Sequence, residues 1–394
     1  MRSFWEQRWI TIAVVTVAFV IATSHSESPP LLVASPPCPF NSIFSFGDSL
    51  ADTGNLYLAS HPASKPCFLP PYGETFFHHV SGRCSDGRLI IDFIAESLGL
   101  PLVKAYMGNK NGDGGANFAV SGATALEPSF FEERGFSVPT NYSLTLQLNW
   151  FKELLPSLCN SSTGKFSISF SHCLEVFRNS LFLMGEIGGN DFNYLLFQQK
   201  SISEVNTYVP YVVNAIASVI HELIGIGART LIVPGNLPIG CSVIYLTIYE
   251  TLDEKQYDQS GCLKWLNEFA EYYNYELQSE LDKLRTLHPH TNIIYADYYN
   301  AALPLYRDPT KFGFISLKAC CGKGGSYNFN TSVMCGYSGT NVCGDPSKHI
   351  GWDGIHLTEA AYKLIAQAFI EGPHSQPQFS SLCLSNANFG HFNS

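Results

Sequence analysis

Positive charge is in short supply in this 394-residue chain: 23 lysines and arginines face 33 aspartates and glutamates, a formal net charge of −10. No basic stripe runs through it, and such a surface repels a phosphate backbone, which argues against nucleic acid as a partner. No C-x-x-C pair occurs among the 12 cysteines, so the dense group Cys320, Cys321, Cys335 and Cys343 reads as disulfides rather than a zinc site. Gly-x-Ser-x-Gly is missing as well, since Gly336-Tyr337-Ser338-Gly339 fails at Thr340, and with it goes the strand–helix nucleophile elbow that this signature marks. Internal repeats, heptad runs and low-complexity tracts are absent. Beyond the N-terminus no segment reads as long and apolar enough to span a bilayer, so no stable membrane insertion is expected.

What is present begins with an export signal. Arg2 and Arg8 flank the start of an apolar run from Trp9 to Ala22, and Ala22-Thr23-Ser24 offers small residues for cleavage. Residues 1–24 read as a secretory signal peptide and residues 25–394 as one domain. A run of roughly 14 apolar residues falls short of the roughly 20 a membrane anchor needs. Cleavage near Ser24 removes two arginines and one glutamate and takes the formal charge from −10 to −11. All 12 cysteines lie beyond that point, and an even number in an exported chain suggests up to six disulfides, of connectivity that sequence alone leaves open. Three glycosylation sequons, at Asn141, Asn160 and Asn330, fit the same route, which ends outside the cell or in a vacuole.

Strand-like and helix-like segments then alternate. Strands are expected at Ile43–Phe46, Asn117–Val120, Ser180–Met184, Thr230–Val233 and Asn292–Tyr295. Helices are expected at Leu89–Leu98, Val205–Ile226, Leu263–Leu287 and Thr358–Ile370. This alternation implies an α/β fold, with strands paired in parallel and helices on both faces. The stretches 56–85, 124–145 and 311–352, rich in Gly, Pro, Cys and aromatics, read as long loops stapled by disulfides around a cleft.

Three turns after three of these strands carry groups suited to acyl transfer. Phe46-Gly47-Asp48-Ser49-Leu50 offers a serine; Val120-Ser121-Gly122-Ala123 and Gly188-Gly189-Asn190-Asp191 offer hydrogen-bond donors. The only Asp-x-x-His in the chain, Asp353-Gly354-Ile355-His356, offers a base and a carboxylate to orient it. Taken singly, each has a plainer reading: Ser49 as a helix N-cap, Gly188–Asp191 as a turn, Gly122 as a loop glycine, His356 as a residue near a helix start. Taken together, Ser49 reads as nucleophile, His356 as base and Asp353 as its orienting acid. The N–H groups of Ser49 and Gly122 and the amide of Asn190 read as oxyanion donors.

With these residues in place the chain resembles the plant branch of the GDSL esterases/lipases, within the SGNH hydrolase superfamily, over roughly residues 38–372. Phe46-Gly47-Asp48-Ser49-Leu50-Ala51-Asp52-Thr53-Gly54-Asn55 is similar to that family's first block, whose serine is the nucleophile. Asn117-Phe118-Ala119-Val120-Ser121-Gly122-Ala123 resembles the second and Gly188-Gly189-Asn190-Asp191 the third, which supply oxyanion donors. Trp352-Asp353-Gly354-Ile355-His356-Leu357-Thr358 resembles the last, which supplies acid and base. Ser85-Asp86-Gly87-Arg88, Tyr295-Ala296-Asp297-Tyr298 and the Cys320-Cys321-Gly322 loop resemble the branch containing acetylajmalan esterase and sinapine esterase. The resemblance implies a three-layer α/β/α, flavodoxin-like fold around a mainly parallel sheet of about five strands. It also implies hydrolysis of carboxylic esters of metabolites, lipids or cell-wall components through an acyl-serine. No cofactor and no metal is implied.

Two other readings compete. A glycosidase would use two carboxylates about 5–9.5 Å apart, and Asp48, Asp52, Glu186 and Asp191 all fall near the expected pocket. A secreted binding protein could keep the scaffold without turnover, although it has no need of Ser49, Asp353 and His356 together. Asp345 and His349, four apart in a Pro/Gly/Cys-rich loop, read as surface residues. Phe130, Phe131, Tyr327, Phe329 and Tyr337 suggest an aromatic pocket wall, or equally core packing.

Overall fold

Ser180-Leu181-Phe182-Leu183 is buried at every position, so both of its faces need cover, and only an interior strand of a layered sheet provides that. The structure, a computed structural model, describes residues 40–60, 66–159 and 170–385. The expected signal peptide and the sequon at Asn160 lie outside these residues. Strands β1 (Ser42–Ser45), β2 (Gly115–Asn117), β3 (Ser180–Leu183), β4 (Thr230–Pro234) and β5 (Asn292–Ala296) are parallel. Cys321–Gly322 (β6) and Asn341–Val342 (β7) form a separate two-stranded ladder. The main sheet has the order β2-β1-β3-β4-β5-β8, in which β8 (Ser375–Gln376) lies antiparallel on the edge of β5. Six strands thus replace the expected five. The sixth is two residues long, between Gly372-Pro373-His374 and Pro377, and offers no alternation to read.

Alternate strand residues point to opposite faces, and here both sets are apolar. Phe44, Phe182, Leu231, Val233 and Ile293 pack on one side with the helices Leu144–Leu158, Val209–Ile226 and Lys264–Leu287. Ile43, Leu181, Ile232 and Ile294 pack on the other with Ile90–Ser97, Tyr298–Arg307 and Glu359–Ile370. The result is the three-layer α/β/α arrangement.

Several elements depart from expectation. The helix expected at Val205–Ile226 is two, Ile202–Asn206 and Val209–Ile226, broken just before Pro210, which has no N–H to extend the first. The stretch Ile202–Ile226 does reach the length and apolar character of a membrane span, contrary to the sequence reading, but half of its most apolar window is buried inside the fold. Thr358 is the N-cap of the last long helix, its hydroxyl accepting from Ala361 N. The helices Leu144–Leu158 and Tyr298–Arg307 were not anticipated; each starts on a side-chain cap, Ser143 and Asp297.

The cysteine cluster forms disulfides, Cys320–Cys343 and Cys321–Cys335, as expected. Cys67–Cys84, Cys159–Cys173 and Cys241–Cys262 complete five bridges among the described residues. The stretch 124–145 holds no cysteine, so no bridge staples it. It contains a short helix, Pro128–Glu132, and is tied down by the Asp191 carboxylate, which accepts from Ala125 N (2.8 Å) and Leu126 N (3.0 Å).

One unanticipated helix holds the serine turn. Gln147, fully buried on Leu144–Leu158, accepts from Gly47 N and donates to Gly47 O, both at 2.8 Å. Removing that amide leaves a buried backbone N–H without a partner. Gln147→Ala should lower unfolding free energy by about 2–4 kcal/mol, measured by urea denaturation with the disulfides intact. A change below about 0.5 kcal/mol would show that the turn does not depend on it.

Candidate active site

Parallel strands deliver their following loops to one edge of the sheet. Because the chain passes from β1 to β2 on one side and sets β3 on the other, a crevice opens outside β1 and β3. All of the serine, donor and acid–base turns meet there. Phe46 N bonds Leu183 O (2.9 Å) and Asp48 N bonds Glu186 O (2.9 Å), so the pairing of β1 with β3 continues into the turn. Gly47, at φ 140°, sits where a Cβ would come within 3.0 Å of Glu186 O, so the chain can pass only as glycine. Asp48 Oδ1 then accepts from Leu50 N, closing a turn that leaves Ser49 half-buried at its apex. Ser49 is no helix cap: the next helix, Asn55–Ala59, starts after Gly54, and the Ser49 hydroxyl faces His356 instead.

The acid and base share one turn rather than a helix. Asp353 Oδ1 accepts from Ile355 N (3.0 Å) and His356 N (2.8 Å), and Gly354 between them takes φ 95°. Asp353 Oδ2 bonds His356 Nδ1 at 2.7 Å, and His356 Nε2 lies 2.8 Å from Ser49 Oγ. With Nδ1–H donated to the carboxylate, Nε2 is left to accept the serine proton. Burial pushes the Asp353 carboxyl up, but the adjoining His356 and the hydrogen bonds it accepts outweigh this and hold it below the usual value. One of those bonds comes from Tyr72, whose hydroxyl donates to Oδ2 at 2.7 Å. Nothing in the sequence marks Tyr72, which lies in a stretch read only as loop.

The three expected donor groups lie on the serine turn and on the two turns tied to it by Asn190. Ser49 N–H and Gly122 N–H make no hydrogen bond among the described residues. Gly122, at φ 84°, is fixed by its carbonyl, which accepts from Tyr194 Oη at 2.8 Å. Asn190 stands in the first turn of the helix Gly189–Phe197, where its Nδ2 donates to Asp48 Oδ2 (2.9 Å) and Ala123 O (3.0 Å). It thereby ties the residue before Ser49 to the residue after Gly122. Its Oδ1 accepts from Asn193 Nδ2 at 3.3 Å, and Asn193 in turn accepts from the buried Tyr245 hydroxyl. Asn193 and Tyr245 carried no sequence signal either.

The four carboxylates weighed for a glycosidase bind backbone or one another. Asp52 accepts from the N–H groups of Gly54 (2.8 Å), Asn55 (2.6 Å), Leu56 (3.2 Å) and Ser121 (2.8 Å), locking the serine block to the second block. Asp191 secures the 124–145 stretch. Asp48 and Glu186 both line the cleft; burial raises both, and the charge of Glu186 raises Asp48 further. Asp345 and His349 are apart from the site: Asp345 is exposed and caps Pro346–Lys348, and His349 Nδ1 lies 3.2 Å from Lys318 O. Asn141 and Asn330 are exposed.

The cleft wall differs from the one suggested by the aromatic loops. Phe131 and Phe329 are buried in the core, Phe130 stacks near Tyr208 and Tyr211, and Tyr327 packs against the core. Tyr337 is exposed, and none of the five lines the cleft. The wall comes from the segment after β4, with Leu237, Pro238, Val243 and Ile244, and from Phe197 and Ile355.

A layered α/β sheet with serine, imidazole and carboxylate in hydrogen-bonded series at its carboxyl edge has the layout of a serine-type hydrolase. The family model described as GDSL-like lipase/acylhydrolase matches residues 43–369. A GDSL esterase/lipase of Arabidopsis thaliana is 57% identical over 354 residues, covering 88% of this chain and 86% of the relative. A sinapine esterase of Brassica napus is 50% identical over 370 residues, covering 91% and 93%. Among solved structures, a Geobacillus acetyl-xylooligosaccharide esterase superposes with a TM-score of 0.35 at 12% identity, over 84% of this chain and 93% of that one. The chain belongs to the GDSL lipase/acylhydrolase family, and it is a carboxylic ester hydrolase. The glycosidase reading falls with that assignment.

The buried acids give the fold a characteristic pH response. Burial pushes the Asp191 carboxyl up to about 7, against the pull of its backbone bonds. An acid raised on folding adds stability that is complete below its unfolded value and is lost as pH rises through the folded one. Asp48, Asp52, Asp86 and Glu186 act in the same sense; Asp353, held low, acts in the opposite sense and only in acid. Stability should therefore fall between about pH 4 and 7, and Asp191→Asn should flatten that slope by up to about 1.4 kcal/mol per pH unit. Denaturation midpoints across this range measure it; an unchanged slope would mean Asp191 stays ionised.

Proposed function

We propose that the protein is an exported serine esterase working through an acyl-serine intermediate, with residues 25–394 as its mature single domain. The observation that carries this reading is the unbroken series Asp353 Oδ2–His356–Ser49 Oγ, with contacts of 2.7 and 2.8 Å. His356 takes the Ser49 proton as the hydroxyl attacks the ester carbonyl, and Asp353 stabilises the imidazolium that forms. Ser49 N–H and Gly122 N–H receive the oxyanion, joined by the Asn190 amide as it exchanges one of its two bonds, to Asp48 Oδ2 or Ala123 O, for the substrate oxygen. Collapse of the tetrahedral species expels the alcohol, which leaves with the proton from His356. Water, deprotonated by His356, then attacks the acyl-serine, and the acid departs. The signal-like N-terminus, the five disulfides and the sequons at Asn141, Asn160 and Asn330 support passage through a secretory route to the cell exterior or a vacuole.

The cleft favours a small acyl group. It encloses about 80 Å³ beside Ser49, behind the apolar wall of Leu237, Pro238, Val243 and Ile244. Acetyl and other short acyl esters fit within it, with an aromatic acyl ester as the larger alternative; one relative is named for sinapine. The alcohol portion, from a metabolite, lipid or wall polymer, faces the open mouth.

Ser49→Ala and His356→Ala should each lower kcat on p-nitrophenyl acetate by at least about 10⁴-fold. Near-normal activity in either variant would overturn the assignment of that residue. Asn190→Ala should lower kcat by about 10²–10³ with little change in KM; a rise in KM alone would remove Asn190 from the oxyanion site. In a chain-length series, kcat/KM for acetate and butyrate should exceed that for palmitate by roughly tenfold or more. The reverse order would show that the cleft opens to hold long chains.

A further inference from the structure

The loop 67–84, closed by the Cys67–Cys84 disulfide, reaches into the acid–base turn at two points. Both sulfurs lie within 4.8 Å of a His356 ring nitrogen. The Tyr72 hydroxyl lies 2.7 Å from Asp353 Oδ2, the same oxygen that receives His356 Nδ1 at 2.7 Å. Tyr72 is 1% exposed, and its ring stands edge-on to Trp352, the residue before Asp353, with centroids 5.8 Å apart at 83°. The loop is anchored beside it by Gly73 N on Ser85 O (3.0 Å) and Thr75 N on Asp86 O (2.8 Å).

We propose that Tyr72 is a positioning residue for ester hydrolysis, acting on His356 through Asp353. This inference rests on the roles given above to Ser49, His356 and Asp353. The physical argument has two parts. Two backbone N–H groups hold Oδ1, but Oδ2, the oxygen that faces the imidazole, has Tyr72 as its one donor besides His356; that second bond fixes where Oδ2 points, and with it the imidazole. The same bond draws charge from Oδ2, so it also weakens the pull of Asp353 on the imidazolium.

The titratable groups around Asp353 are few. His356 shares its turn, Tyr72 comes from the disulfide loop with Tyr337 behind it, and Tyr362 approaches from the helix Glu359–Ile370. Burial pushes the Tyr72 and Tyr362 phenols well above the usual value, so neither competes with His356 for a proton near neutrality. Removing the Tyr72 hydroxyl should therefore loosen the relay and, at once, concentrate charge on the oxygen facing His356.

The test compares Tyr72→Phe with the unaltered protein on p-nitrophenyl acetate across pH. The expected result is a kcat lower by roughly tenfold, as for one hydrogen bond to a charged group, with KM within about twofold. The acidic limb of kcat/KM should move up by roughly half a pH unit. A residue that only packs would lower the thermal midpoint without moving that limb. In an Asp353→Asn background, Tyr72→Phe should add almost nothing, because the group it acts through has been changed. Where turnover is too slow, the rate at which a serine-directed fluorophosphonate labels Ser49 gives the same readout. An unmoved limb with kcat intact, or an equal loss in the Asp353→Asn background, overturns the inference. If His356→Ala stays active, the reading beneath it fails; if His356→Ala is inactive and Tyr72→Phe is unaltered, only the role of Tyr72 fails.

Discussion

A single buried negative charge sets the terms for the whole site. Asp353 is 1% exposed, and an unpaired carboxylate at that depth would take up a proton. It stays ionised because two backbone N–H groups, an imidazole N–H and a phenol surround its two oxygens. Those donors come from the turn itself and from a disulfide loop some 281 residues away in sequence. The imidazole keeps its tautomer and direction only while that charge persists, and the serine proton has somewhere to go only while the imidazole holds its place.

The neighbouring acids follow the opposite logic. Asp48 and Glu186, which line the cleft, are both raised by burial, and the charge of Glu186 raises Asp48 further. Asp48 also receives the Asn190 amide, so the protonation of this pair bears on the donor side of the serine, as the ionisation of Asp353 bears on the base side. Two carboxyl environments beside the Ser49–His356 contact are thus pushed in opposite directions.

Ser49, Gly122, Asn190, Asp353 and His356 were legible because each lies in a short contiguous block whose neighbours are constrained by the same turn. Four of the five parallel strands were legible from their apolar character; β2 lies at Gly115–Asn117, not at the expected Asn117–Val120, because Gly-Ala-Asn offers no apolar run to read. The remainder depends on side chains whose partners are remote in sequence. Gln147 acts on a backbone 100 residues earlier, and Tyr245 reaches Asn193 from 52 residues later. Neither relation leaves a local pattern. The aromatic loops misled for the same reason: Phe131 and Phe329 are as hydrophobic in a core as on a wall, and only tertiary contacts decide which. The apolar wall after β4 was invisible because Leu237 and Pro238, in a loop, and Val243 and Ile244, at the start of the short helix Val243–Ile248, form no local pattern.

The five bridges have one property in common: they join cysteines 14 to 23 residues apart. Among the described residues none of them links one strand of the main sheet to another, so these ties lie around a sheet held by its own hydrogen bonds and packing. Each tie steadies a segment beside the site: Cys67–Cys84 closes the loop that brings Tyr72 to Asp353, and Cys241–Cys262 closes the one that carries Val243 and Ile244 to the cleft wall. The covalent ties hold the surroundings of Ser49, not the register of the strands.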